Sequence, residues 1–159
     1  MIDANDLAGA FARNVYVVKA QSEGLSHEDS LIQVPFGNCL NWVLGHIVAS
    51  RDEALHVMGE PLGAGALVER YKRGSAAITG ECEDALPLAE LLTLLDRSQE
   101  HVEAALSRMD AAAFARKSTD DERGRSIGQL VFFRYFHETF HVGQTELFRQ
   151  LAGKDDKLI

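Results

Sequence analysis

Apolar side chains recur at three- and four-residue intervals over four long stretches of the chain, and the strict alternation of a half-buried strand is nearly absent. From about Asp3 to Ser22, Leu7, Phe11, Val15 and Val18 form one stripe, with Asp6, Arg13 and Lys19 off it and Gly24 as a stop. Asn38 is a good N-cap for a second helix that reaches about Met58 and ends at Gly59 and Pro61, with Leu40, Val43, Leu44, Ile47 and Ala54 facing the core. A third helix has Pro87 in its first turn and continues through Leu88, Leu91, Leu92, Leu95, Val102, Leu106 and Met109. Ser126 and Gln129 form a capping-box pair that opens a fourth helix, which runs through Ile127, Leu130, Val131, His137, His141, Phe148 and Leu151 to Gly153. On this pattern both of its histidines occupy core-stripe positions.

The connections are less regular. Leu25 to Gly37 reads as a loop from which Phe36 tucks back onto the core, Gly59 to Leu86 as a long crossover with a short helix over Ala66 to Tyr71, and Asp110 to Arg125 as a polar loop. The expectation is an all-α protein forming one domain over residues 1–159, a length that buries roughly 70% of the unfolded surface. Charge then narrows the partners. With 16 basic against 24 acidic residues and a net charge of −8, the chain lacks the basic footprint of a nucleic-acid binder. Cys39 and Cys82 are too few and too far apart for a disulfide scaffold or a CxxC site. No basic leader precedes an apolar core at the N-terminus and no stretch has the length of a membrane span, so a cytoplasmic location is expected.

The histidines carry the chemistry. His137 and His141, four apart, lie on one helical face and can grip one divalent ion, which would satisfy two imidazoles that otherwise each need a partner. His46 sits on an edge row of the second helix with Cys39, Trp42, Ala49, Ser50 and Glu53; alone it reads as a core histidine bonded to a backbone carbonyl, and with the pair as a third ligand. His27 falls in a loop, and His56 and His101 lie off the apolar stripes. The stretch His137-Glu138-Thr139-Phe140-His141 also matches the HExxH of zinc proteases, in which Glu138 would be the general base. Context opposes that reading: Gly143 follows the second histidine by two positions rather than three, too little chain remains for a third ligand from a later helix, and no strand-bearing cleft is predicted.

Asn41-Trp42-Val43-Leu44-Gly45-His46 on the second helix, with His137-x-x-x-His141-x-Gly143-Gln144 on the fourth, resembles the paired signature of the DinB-like superfamily. The resemblance spans nearly the whole chain. It implies a four-helix bundle with up-down-down-up connectivity and long crossover loops, commonly a homodimer, with a divalent metal held by His46, His137 and His141. Apolar residues on more than one face of the first and third helices would allow such a dimer. The family includes thiol-dependent transferases and isomerases as well as proteins described as metal-dependent hydrolases.

Three neutral imidazoles leave a divalent ion its full charge and an open position, the arrangement of a catalytic site. The leading expectation is a metal-dependent enzyme that transfers a low-molecular-weight thiol to a small electrophile or isomerises it. The alternatives are a hydrolase using metal-bound water and a non-catalytic metal-binding stress or sensor protein. Zinc or nickel suits the donors, with cobalt or iron as further candidates. Glu53, two turns after His46, could bond a ligand imidazole or accept a proton; Glu138, rotated by about 100° from His137, reads as solvated or interhelical. Arg134 could bind a substrate carboxylate or pair with an acid on a neighbouring helix. Gln144 could orient a ligand, and Trp42 reads as core or cleft wall.

Overall fold

The computed structural model describes residues 3–35, 37–80, 84–119 and 121–154. Among these it contains helices and no strand, only an isolated bridge between Lys117 and Ser126. Phe36 and Cys82 lie outside the described residues. The elements are α1 (Ala4–Ser22), α2 (His27–Ser30), α3 (Leu40–Val57), α4 (Gly65–Tyr71), α5 (Leu88–Ser107), α6 (Ala111–Ala115) and α7 (Ile127–Leu151). No described helix is long and apolar enough to cross a membrane.

The four long helices match the four periodic stretches, with local corrections at their ends. α1 opens on a capping box in which Asp3 and Asp6 satisfy each other's backbone N–H, and the chain leaves it through Gly24 at φ 72. α3 is capped by Cys39 rather than Asn38, with no side-chain cap bond, because Cys39 and Leu40 are already buried where the chain enters the core. Pro87 is the N-cap of α5 and not a residue of its first turn. Two short helices, α2 and α6, stand in segments expected to be loops. Each is held by a side-chain cap, Ser26 accepting from the Asp29 N–H and Asp110 from the Ala113 N–H.

α3 is buried on every side from Leu40 to Arg51, as its apolar circumference requires. It packs on α5, α7 and α4, while α1 packs on α5 and α7. Paired contacts give the helix directions. Asn14 meets Glu138 and Arg149 meets the Gln21 carbonyl, so α1 and α7 run together; Lys19 meets Asp96 while Leu7 shares a cluster with Leu106, so α1 and α5 run oppositely.

The core is divided. One apolar cluster gathers Val15, Val18, Leu44, Ile47, Leu91, Leu95, Val142 and Phe148; the other gathers Leu7, Phe11, Leu55, Val102, Leu106, Ile127 and Val131. Between them each long helix contributes a buried polar residue: Asn14 from α1, Arg51 from α3, Ser98 and Gln99 from α5, and Glu138 from α7. Glu138 is 1% exposed, so the solvated reading is overturned and the interhelical one holds. The inward stripe of α7 is Ile127, Val131, Glu138, Val142, Thr145 and Phe148, which leaves His137 and His141 half-buried at its edge rather than on it. Leu151 is exposed as well.

Candidate metal centre

α3 and α7 bring His46, His137 and His141 together although 91 residues separate the first two. His46 Nε2 lies 3.4 Å from His137 Nε2, and His141 Nε2 lies 3.3 Å from the same atom. Two nitrogens each 2.0–2.1 Å from a tetrahedral ion are about 3.3–3.4 Å apart. The donor set therefore fits a divalent ion, and the three histidines form a group that could hold one.

The far side of the His46 and His141 rings sets their tautomers. His46 Nδ1 is 2.7 Å from the Tyr71 carbonyl, which can only accept, so Nδ1 carries the proton and Nε2 presents a lone pair. His141 Nδ1 donates in the same way to Gln144 Oε1 at 2.8 Å. His137 Nδ1 lies 3.4 Å from Ser50 Oγ. The lone pairs of His46 and His141 thus point into the small volume beside His137 Nε2, where a cation would meet them. Partners of this kind typically carry 10–100-fold in metal affinity. Gln144→Ala is accordingly expected to weaken zinc binding by about that factor with little change in fold, measured by competition with a chromophoric chelator; an unchanged affinity would remove Gln144 from the site.

Tyr71 reaches His46 because Gly45 is next to it. A Cβ at Gly45 would overlap the Tyr71 ring, whose hydroxyl donates to Asn41 Oδ1 and accepts from the Leu86 N–H. The crossover between α3 and α5 is thus tied to the site through one buried tyrosine. Trp42 stacks on His46 at 4.7 Å between ring centroids and donates from Nε1 to Ser75 Oγ, so it forms the wall of the site. Phe133 and Phe140 lie against His137 and His141 from the solvent side.

The three second-tier candidates separate. Arg134 and Glu53 pair with each other at the rim, 31% and 44% exposed, and no hydrogen bond joins Glu53 to an imidazole among the described residues. Glu138 faces away from the histidines and grips Arg51 through both carboxylate oxygens, at 2.8 Å from Nε and 2.7 Å from a terminal nitrogen. It is sealed from the volume where a substrate would sit and cannot act there as a base.

Sequence reasoning missed the partners of Glu138, Arg51 and Asn14, and with them Ser98 and Gln99, which accept from Arg51. The signal was available. Arg51 lies four residues after Ile47, on the apolar stripe of α3, and a charge placed on such a stripe requires a buried partner. Arg149 was missed as well; it is buried on α7 and donates to the Gln21 and Glu23 carbonyls at the end of α1.

All three imidazoles are held below the ordinary histidine pKa. Burial is the first cause for each, opposed at His46 by the Tyr71 carbonyl and at His141 by Gln144; for His137 the other two histidines add to burial and push it from 6.5 to about 4. Between those two values the unfolded chain binds more protons than the folded one, so protons favour unfolding. The metal-free protein should keep this stability above pH 6.5 and lose it as pH falls toward 4. Urea midpoints of chelator-treated protein across that window test the sign, and the slope should be shallower in His137→Gln; greater stability on acidification would contradict it.

A family model for the DinB superfamily matches residues 16–145. No curated protein matches. Six solved chains match, one of them the crystal structure of a conserved protein from Enterococcus faecalis, 11% identical, with a TM-score of 0.73 over 96% of this chain and 98% of that one. At that identity the likeness speaks for the fold alone. The family match covers most of the chain and includes all three histidines: this protein belongs to the DinB superfamily.

Proposed function

We propose that the protein is a metal-dependent enzyme built on a single four-helix bundle of up-down-down-up connectivity, with His46, His137 and His141 holding a divalent ion through Nε2. The observation that carries this reading is the convergence of the three Nε2 atoms, with Nδ1 of His46 and His141 each committed to an oxygen acceptor. Zinc or nickel, or else cobalt or iron, would supply Lewis acidity at an open position, enough to favour the deprotonated form of a thiol or of water.

The residues around that position favour a thiol as cosubstrate. Arg134 and Glu53 present opposite charges side by side at the rim, which suits a small thiol carrying both a carboxylate and an ammonium group. Trp42 supplies an apolar wall for an electrophile, with Phe133 and Phe140 at the solvent edge of the site. Hydrolysis is the second reading, with Glu53, paired with Arg134 at the rim, as the candidate base. Protein purified without chelator should carry close to one divalent ion per chain by mass spectrometry. A thiol cosubstrate should then raise the melting temperature of the metal-loaded form and leave the metal-free form unmoved. No more than a trace of metal, with none taken up on reconstitution, would overturn the metal reading; a loaded protein indifferent to thiols but active on esters would select the hydrolase.

A second copy of the chain completes the proposal. Phe132, Phe133, Phe136, Phe140, Leu147 and Leu151 are exposed on the side of α7 opposite Glu138. No large exposed hydrophobic lies on α5. Phe133, Phe136, Phe140, Gly143 and Leu147 keep a three-four spacing, and Gly143 has open space where a Cβ would be, which lets another helix cross closely. The patch leaves roughly 700 Å² of apolar side chain in water, close to the ~800 Å² each partner contributes to a standard interface and beyond what a monomer usually exposes. Light scattering should give a dimer mass for the wild type and a monomer mass for Phe136→Glu/Phe140→Glu; a monomeric wild type at tens of micromolar would exclude this occupant.

A further inference from the structure

The polar layer shares α3 and α7 with the histidine cluster, at adjacent positions. Arg51 is 0% exposed on its side chain, and all five of its guanidinium N–H donors are engaged. Nε and one terminal nitrogen hold both oxygens of Glu138 on α7; the other terminal nitrogen meets Ser98 Oγ at 3.2 Å and Gln99 Oε1 at 3.0 Å on α5; the last donor meets the Phe11 carbonyl on α1 at 3.1 Å. Asn14 adds a bond to Glu138 Oε1 at 3.1 Å. The flanking residues touch the metal centre: Glu138 directly follows His137, and Ser50, whose Oγ faces His137 Nδ1, directly precedes Arg51.

We propose that the Arg51–Glu138 pair is a positioning device for the metal centre, fixing the rotation and register of α7 against α3 so that His137 and His141 arrive at His46. The inference rests on the reading that these histidines hold a metal. Apolar clusters lie on both sides of the layer, and ridges of Leu, Val and Ile can repack after a small slip with modest loss. A bidentate fork cannot. One residue of slip turns a helix by about 100° and shifts it by about 1.5 Å, which would carry His137 off its neighbours. Net stability does not require charges here, since buried ion pairs replaced by well-packed apolar residues are often neutral or better. What the pair supplies beyond cohesion is a unique alignment.

The test compares full-length wild type with Arg51→Met/Glu138→Leu, using cobalt(II) as the probe and its visible absorption as the readout. The double variant should keep helical circular dichroism and cooperative melting, bind cobalt about 10–100-fold more weakly and give an altered d–d band. Val102→Ala, in the remote apolar cluster, controls for stability loss and should retain the wild-type spectrum and affinity. Should the double variant fail to fold, Arg51→Lys keeps the charge and removes the fork, and the same spectral change is expected of it. A wild-type band and affinity in whichever of these variants folds, or an equal loss in Val102→Ala, would overturn the positioning role. Wild-type protein that takes up no cobalt is a separate result, overturning the metal reading and this inference with it.

Discussion

Glu138→Ala is expected to destabilise the protein by about 3–5 kcal/mol, the usual consequence of removing one partner of a buried ion pair. The substitution leaves the Arg51 guanidinium enclosed among Ser98, Gln99 and the Phe11 carbonyl with a full charge and no counter-ion. A domain of ordinary stability has only about 5–15 kcal/mol in total, so much of the fold would be forfeited at room temperature. Urea denaturation followed by circular dichroism measures it, with a lower midpoint and an unchanged slope as the expected signature. A loss within about 0.5 kcal/mol, as for a surface change, would mean that Arg51 escapes to water and that the layer is not closed. The protease reading of the same motif makes the opposite prediction, an intact fold with lost turnover.

His137→Ala is expected to have the largest effect on metal binding. Both of the close Nε2 contacts run through His137, so its removal leaves His46 and His141 as an incomplete pair. Zinc affinity should fall by more than the roughly 10–100-fold typical of outer partners, and metal content after dialysis should drop to a trace. The metal-free variant should melt near the wild-type temperature, because the lost ring is only half-buried. Chelator competition beside calorimetry of the metal-free proteins separates these effects; an unchanged stoichiometry and affinity would exclude His137 as a ligand.

The long helices were legible because their apolar positions keep the helical period over four or more turns, and the Ser126–Gln129 pair marked the start of α7 to the residue. α2 and α6 were not, since a single turn is too short to display a period and only its cap betrays it. The histidine cluster could be anticipated from the spacing of His137 and His141 and the motif around His46. Its surroundings could not: a backbone carbonyl such as that of Tyr71 has no signature in sequence. α7 posed the hardest problem because it is apolar on nearly every side. Periodicity alone could not say whether Phe136 and Phe140 or Val131 and Val142 face inward, and so it placed the histidines on the stripe and Glu138 off it.

The divided core also bears on how the chain reaches its native state. Arg51 and Glu138 are 87 residues apart, and neither can leave water without the other. The parts of both apolar halves that α1, α3 and α5 supply can gather first, but the layer between them closes only when α7, the last long helix, docks against α3. Until then the folding chain must keep a hydrated seam through its middle. Contacts across that seam should be absent from the rate-limiting transition state, so that mutations there speed unfolding far more than they slow folding.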